Sequence, residues 1–174
     1  MSDRIGLSFS GALASTVPFL LAILGAVVAN FPVSFFGYFP TPMFAIMPVY
    51  FWCLVRPDLM PPAAVLIAGA VEDLLSGGPM GIWALAFVVT YFIVDREREA
   101  FAGLSGWGAI MGFGAAMLIA GFTAYLVAAV SFDKLPPVMP LFLEILVTVV
   151  LYVPALWLLN GIHHKLIGAL RSDF

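Results

Sequence analysis

Residues 60–94 read MPPAAVLIAGAVEDLLSGGPMGIWALAFVVTYFIV, which is two apolar runs separated by Ser76, Gly77, Gly78 and Pro79. Glycine commonly ends a helix and proline commonly begins one, so the separator predicts a tight turn between two helices. We expect these helices at about 60–75 and 79–94. Each is close to the lower limit of the roughly 17–25 residues that a membrane-spanning helix needs. The stretch therefore predicts a hairpin of two membrane helices.

The composition of the whole chain also indicates a protein surrounded by lipid. Of its 174 residues, 63% are hydrophobic and 10% are charged, and the mean hydropathy is +1.11. Ordinary globular domains are about 45–50% apolar and about 25% charged. A soluble domain of this length could not bury so much apolar surface. We expect an all-α integral membrane protein with one transmembrane domain over residues 1–174.

Four further apolar runs complete a compact bundle of six transmembrane helices. The six predicted helices cover about 12–31, 40–55, 60–75, 79–94, 107–130 and 141–159. An aromatic segment at 31–42 precedes the second helix and suits the depth of the membrane interface. The charged run at 95–99 is predicted to be a solvated loop.

The basic residues predict which side of the membrane each end occupies. With six spans, one side receives six of the seven basic residues and the other receives only Lys134. The six are Arg4, Arg56, Arg96, Arg98, Lys165 and Arg171. Because Lys and Arg concentrate in cytoplasmic loops, both termini are predicted to be cytoplasmic.

The sequence lacks the residues that several classes of function require. A net charge of −3 with scattered basic residues argues against a nucleic-acid partner. Cys53 is the only cysteine, so an intrachain disulfide is excluded. The sequence has no nucleophile elbow, no His–Glu zinc motif and no phosphate-binding loop. We therefore predict no enzyme activity, no catalytic residues, no metal and no cofactor.

Three acidic residues lie within the apolar runs, namely Glu72, Asp73 and Glu144. An ionised side chain at bilayer depth costs at least about 2.5–3.5 kcal/mol and usually faces a partner inside the protein. All three fall near the outer ends of their predicted helices, as does Asn30. One interpretation is a polar cluster with Lys134 as its counter-charge. The alternative, which we weigh slightly higher for Glu72 and Glu144, is that the acids simply reach headgroup water.

Asp73 differs from the other two acids because a turn and a new helix follow it. A carboxylate at this position can accept hydrogen bonds from backbone N–H groups that the turn and the helix start leave free. The sequence therefore predicts that Asp73 is a structural clamp rather than a catalytic group.

Small residues recur at a spacing of four. Gly108 and Gly112 form such a pair in the fifth predicted helix, and Gly77 and Gly81 form another at the start of the fourth. Such pairs allow close helix approach in lipid. They serve either packing inside the bundle, the commoner use, or contact with a partner's helix.

A pattern of small residues, an aspartate and a proline lies in the middle third of the chain. It consists of Gly69, Asp73 four residues later, Gly77 or Gly78 with Pro79 in the turn, and Gly81. This pattern resembles that of the MreD family, bacterial rod shape-determining membrane proteins, which implies a location in the bacterial inner membrane. Chain length and the six-helix layout extend the resemblance over nearly the whole chain. Glu72, directly before Asp73, departs from the family pattern, and its role is open.

The resemblance implies a non-enzymatic subunit of the peptidoglycan elongation machinery that determines cell shape. Members of that family bind the bitopic scaffold MreC. Through MreC they connect to the MreB filament, the glycosyltransferase RodA and a class B penicillin-binding transpeptidase. The implied fold is that of the substrate-binding subunit of energy-coupling-factor transporters. A small-molecule-binding membrane subunit of a vitamin-type transporter is therefore the alternative function.

Overall fold

The computed structural model describes residues 3–31, 41–102, 107–133 and 135–167. In this part of the chain the structure is all-helical and contains no strand, which confirms the all-α part of the predicted class. The α-helices are α1 (Asp3–Ala29), α2 (Ile46–Val55), α3 (Pro62–Ser76), α4 (Ile82–Arg96), α5 (Arg98–Ala102), α6 (Trp107–Phe132) and α7 (Val138–Ile162). A 3-10 turn covers Pro57–Leu59, and a π-helical turn covers His163–Ile167.

The helix boundaries differ from the sequence predictions at several places. Helix α1 begins nine residues before the predicted 12. Helix α2 begins only at Ile46, because residues 41–43 have no regular secondary structure and residues 44–45 form a turn. Most of the predicted aromatic segment lies outside the described residues. The run 95–99 is mostly exposed, but only Glu97 is a turn: residues 95–96 end α4 and residues 98–99 begin α5, since Glu and Arg are good helix formers.

Helix α2 forms the centre of the bundle. Its residues from Ile46 to Cys53 are all buried, and it contacts α1, α4 and α7. A helix that is apolar on every side must be enclosed by other helices, which is the position that α2 occupies. Trp52 and Cys53 have no exposed surface.

Aromatic rings fix α2 against two longer helices. The rings of Phe113 in α6 and Tyr152 in α7 are stacked with centroids 3.8 Å apart. Tyr50 of α2 meets both edge-on, at 5.2 and 5.9 Å. Such edge-to-face pairs add about 0.5–1.5 kcal/mol each beyond the area they bury.

Helix α6 packs against α4 and α7 through one face. The buried residues of that face recur three and four positions apart, as a helical stripe requires. They are Gly112, Phe113, Ala116, Met117, Ala120, Gly121 and Ala124. Most are small, so the helix axes can come close.

The outward faces of α6 and α7 are strongly apolar. Trp107, Val130 and Trp157 are each more than four-fifths exposed. Two segments are long and apolar enough to cross a membrane, namely Trp107–Phe132 and Val138–Lys165. Shorter apolar helices occur at Thr16–Ala29 and Ile46–Val55.

Candidate functional site

Asp73 joins the end of α3 to the beginning of α4. Its buried carboxylate accepts hydrogen bonds from the backbone N–H groups of Gly81 at 2.8 Å, Trp83 at 2.8 Å and Ala84 at 3.1 Å. The first N–H groups of a helix have no acceptor within that helix, so Asp73 satisfies three groups that would otherwise be unpaired. The structure thus contains the hydrogen bonds that the sequence predicts for this aspartate.

Two glycines give the turn its shape. Gly77 ends α3 with φ +69°, and Gly81 precedes α4 with φ +106°. Both values lie in the left-handed region, where residues with a side chain are strained. Gly78 and Pro79 complete the connection. A Cβ at Gly78 would lie 3.8 Å from the Ser76 Oγ, an ordinary contact, so the structure imposes no steric need for glycine there.

Gly69 sets the distance between α3 and α4. A Cβ at this position would lie 2.5 Å from the Cα of Ala84 and 2.8 Å from the carbonyl oxygen of Trp83. Both atoms belong to the backbone and cannot turn away. Gly69 therefore brings the two helices close enough for Asp73 to reach the N–H groups of α4.

Glu72 lies beside Asp73 and is held by α1. The side-chain amide of Asn30 donates to Glu72 Oε1 at 2.7 Å and to the carbonyl oxygen of Ala26 at 3.0 Å. Glu72 is 5% exposed. Its other oxygen, Oε2, is buried and has no hydrogen-bond partner among the described residues.

Glu144 on α7 lies at the same end of the bundle. It is half-buried, and its carboxyl interacts electrostatically with Glu72. We call Asn30, Glu72, Asp73 and Glu144 the polar layer. The structure thus brings together four residues that the sequence places at a common depth.

Thr148 anchors the chain beside Glu144, and sequence reasoning did not identify it. Its hydroxyl donates to the carbonyl oxygen of Glu144 at 2.6 Å and accepts from the N–H of Met43 at 3.0 Å. Thr148 has no exposed surface. A threonine inside an apolar helix was the available signal, but only the fold reveals Met43 as its partner.

Lys134, the predicted counter-charge, lies outside the described residues. Within the described ranges, the one ion pair joins Arg56 to Asp58 at 2.8 Å, and both side chains are well exposed. The hydrogen-bonded Arg56 guanidinium lowers the pKa of the Asp58 carboxyl. Arg56 belongs to the opposite end of the bundle, where His163 contacts the rings of Phe51 and Trp52.

The predicted glycine pair of α6 divides between two environments. Gly112 is buried on the stripe that continues through Ala116 and Ala120, whereas Gly108 is only half-buried. Gly112 therefore belongs to the packing inside the bundle. Gly108 retains accessible surface near the start of α6.

A cavity of about 340 Å³ lies on the far side of the core from the polar layer. Aromatic and aliphatic side chains line it, including Tyr50, Phe101 and Tyr152. Tyr50 is buried, and its hydroxyl has no hydrogen-bond partner among the described residues. No motif in the sequence indicated this cavity.

The chemistry open to the polar layer follows from its hydrogen bonds. The oxygens of Asp73 are taken up by backbone N–H groups, so this carboxylate is structural. The described residues contain no group of three or more His, Cys, Asp or Glu side chains that could hold a metal ion.

The chain matches no protein-family model, no curated protein and no solved structure.

Proposed function

We propose that this chain is a multi-pass membrane protein whose six longer helices, α1–α4, α6 and α7, cross the bacterial inner membrane. The exposed apolar surface supports this proposal. Large hydrophobic side chains are exposed on all of these helices, on α2 only at its last residue, and include Leu24, Leu66, Phe92, Phe122 and Val150. Soluble monomers rarely expose contiguous apolar patches larger than a few hundred Å². Lipid is the solvent in which such a surface is favourable.

The distribution of charge supports cytoplasmic termini. Arg56, Arg98 and His163 lie at one end of the bundle, and the polar layer lies at the other. An arginine-bearing end is the one expected on the cytoplasmic side. The polar layer then lies toward the external face, and the α6–α7 connection with Lys134 is external.

The short helices are compatible with a six-span bundle because α2 is enclosed by protein. Ten residues of α-helix are about 15 Å long, roughly half the thickness of the hydrocarbon core. Irregular backbone is tolerated at membrane depth where protein rather than lipid surrounds it. Residues 41–45 meet this condition in part through the hydrogen bond from Met43 to Thr148.

The function that fits best is that of an MreD-type scaffold subunit of the rod complex. One observation carries it. Gly69, Asp73, Gly77 and Gly81, the residues of the MreD-like pattern, each have a defined structural task in the α3–α4 hairpin. In this role the chain binds MreC and helps to link MreB to RodA and a class B penicillin-binding transpeptidase. It acts through helix surfaces and not through catalysis.

Affinity capture of the tagged chain from native membranes in mild detergent tests this function. We expect recovery of a bitopic coiled-coil protein together with wall-synthesis enzymes. The matched controls are Asp73→Ala, which should lose the partners with the fold, and Asp58→Ala, which should retain them. Recovery of ATPases with a coupling membrane subunit, and of no wall-synthesis protein, contradicts the scaffold.

That second outcome belongs to the alternative function, a small-molecule-binding subunit of a vitamin-type transporter. The buried acidic groups of the polar layer favour it. However, the cavity beside Trp83, at the same end of the bundle, measures only about 180 Å³. A second cavity, which shares Tyr125 and Leu141 with it, measures about 330 Å³, but no acidic residue lines it. Pockets for small molecules typically measure about 300–1,000 Å³. We therefore rank the scaffold first. A ligand of a transport subunit should raise the melting temperature of the purified chain.

A further inference from the structure

The cavity between α2, α5, α6 and α7 takes no part in the α3–α4 hairpin or in the polar layer. Its volume of about 340 Å³ falls within the range of about 300–1,000 Å³ that is typical of pockets for small molecules. Two tyrosines, Tyr50 and Tyr152, line it. The other residues of its wall, among them Phe101 and Leu156, have hydrocarbon side chains. The wall is therefore apolar apart from two hydroxyl groups.

The hydroxyl of Tyr50 lacks a hydrogen bond. Tyr50 is only 3% exposed, and its ring meets the rings of Phe101, Phe113 and Tyr152 edge-on. Its hydroxyl is buried and has no partner among the described residues. A buried hydroxyl without a partner is costly, whereas a phenylalanine would pack in the same way without that cost. The hydroxyl thus calls for a partner from outside the described chain.

Water is a poor occupant of this cavity. A buried water typically makes about three hydrogen bonds to polar groups. The side chains of the wall offer only the hydroxyls of Tyr50 and Tyr152. A hydrocarbon chain that carries one hydrogen-bond acceptor matches such a wall better.

The position of Tyr50 along α2 indicates which hydrocarbon chain this is. Tyr50 precedes Arg56 by six residues, which corresponds to about 9 Å along the helix axis. With Arg56 at the cytoplasmic surface, Tyr50 lies just below a headgroup layer that is about 5–8 Å thick. The ester carbonyls of a phospholipid lie at this depth, because they join the headgroup to the acyl chains.

The cavity is open toward the lipid. Val55, on its wall, is 37% exposed, and Leu156 is half-buried. Leu156 is followed by Trp157 and Leu158, which are exposed on the outward face of α7. An acyl chain can therefore enter from the bilayer beside α7 without crossing the bundle.

We propose that this cavity binds one acyl chain of a phospholipid from the cytoplasmic leaflet, whose ester carbonyl accepts a hydrogen bond from the Tyr50 hydroxyl. The apolar wall takes up the chain, and the carbonyl supplies the acceptor that the protein lacks. This inference rests on the proposed placement of the bundle in the membrane. It does not depend on the rod-complex function.

An ether-linked lipid tests the hydrogen bond, because it has the same chains but no carbonyl. The unaltered chain should melt about 2–4 °C higher in nanodiscs of dioleoyl phosphatidylcholine than in nanodiscs of its ether-linked analogue, the shift expected of one hydrogen bond in a protein of this size. Tyr50→Phe keeps the ring and removes the hydroxyl, so it should melt at the same temperature in both lipids.

Thr90→Val is the matched control for Tyr50→Phe. The hydroxyl of Thr90 is also buried and without a partner among the described residues, but Thr90 does not line this cavity. Its removal should preserve the difference between the two lipids. The proposal is overturned if the unaltered chain does not distinguish the lipids, or if Tyr50→Phe distinguishes them as strongly as the unaltered chain does.

Native mass spectrometry tests the occupancy of the cavity. The unaltered chain, purified in mild detergent with dioleoyl phosphatidylcholine, should retain one phospholipid after collisional activation has removed the others. Ala109→Phe fills the cavity and should lose this lipid. Ala115→Phe places the same ring on the exposed face of α6 and should keep it. A retained mass that is not a phospholipid's, or equal retention by Ala109→Phe, overturns the proposal.

Extraction of native membranes with alkaline carbonate separates failure of this site from failure of the membrane placement. If carbonate releases the chain, the placement is wrong and the lipid site is wrong with it. If the chain stays in the membrane but does not distinguish ester-linked from ether-linked lipid, the lipid site alone is overturned.

Discussion

In both helix pairs, α3–α4 and α6–α7, a glycine of one helix lies against the other helix. The two pairs differ in the kind of atom that this glycine faces. A Cβ at Gly69 would lie 2.5 Å from the backbone of Ala84. A Cβ at Gly121 would also lie 2.5 Å from its nearest atom, but that atom is Cδ1 of Ile145, the far end of a flexible side chain. The same distance therefore describes a rigid contact in one pair and an adjustable contact in the other.

The hydrogen bonds follow the same division. Asp73 adds three bonds across the α3–α4 turn, whereas the described residues of α6 and α7 have no side-chain hydrogen bond between them. Helix α7 also leaves most of its apolar surface exposed. We infer that α3–α4 is the rigid hairpin and that α6–α7 is the more adaptable pair.

The largest expected effect is that of Asp73→Ala. The change leaves three N–H groups of the α4 start without an acceptor, at about 1–3 kcal/mol for each that stays buried. The yield of folded protein extracted in mild detergent should fall sharply. It should fall much less for Glu144→Ala, whose carboxyl makes no hydrogen bond to a described residue. Equal or reversed losses of yield would contradict the structural role of Asp73.

Gly69→Ala should have the next largest effect. The added methyl must push the α3 and α4 backbones apart, which costs about 1–3 kcal/mol. Gly114→Ala in α6 is the matched control, because its Cβ would meet nothing within 4 Å. The control should gain about 0.5–1 kcal/mol of helix propensity. Denaturant titration of both variants should give opposite signs, and equal signs would contradict the close approach at Gly69.

Gly121→Ala should change the stability little. Ile145 can rotate away at about 0.5–1.5 kcal/mol, and the gain in helix propensity offsets roughly that amount. The same denaturant titration should place this variant within about 1 kcal/mol of the unaltered chain. A loss as large as that of Gly69→Ala would show that α6–α7 is no more adaptable than α3–α4.

The smallest effect belongs to the exposed Arg56–Asp58 pair. Because the pKa of Asp58 is lowered in the folded protein, the folded state binds fewer protons, and the stabilisation is present above the unfolded pKa of about 3.9. It is lost as the pH falls through the lower, folded pKa. Such pairs contribute at most about 1 kcal/mol. Asp58→Asn should thus lower stability slightly at pH 7 and progressively less as the pH falls through the folded pKa, and an undiminished difference at low pH would rule out the carboxylate as its cause.

Much of the core architecture is predictable because it depends on local chemistry. Apolar runs and the Gly-Gly-Pro turn place the six longer helices, and the position of Asp73 before that turn predicts its hydrogen bonds to the start of α4. These features involve residues close in the sequence. The carboxylate needs a donor, and the new helix supplies N–H groups within a few residues.

The long-range partners could not be predicted from one sequence. The bond from Asn30 to Glu72 and that from Met43 to Thr148 join residues 42 and 105 positions apart. They depend on how α1, α3 and α7 are arranged. The late start of α2 could not be predicted either. An enclosed apolar helix and an apolar irregular segment, such as residues 41–45, have the same composition.

Topology mapping tests the central claim, a six-span bundle with both termini in the cytoplasm, most directly. Reporter fusions after residues 57, 78, 97, 135 and 174 would each carry either a fluorescent protein active in the cytoplasm or a phosphatase active outside. The account predicts fluorescence at 57, 97 and 174, and phosphatase activity at 78 and 135. If fusions at 78 and 97 report the same side, α4 does not cross the membrane and the six-span bundle is wrong.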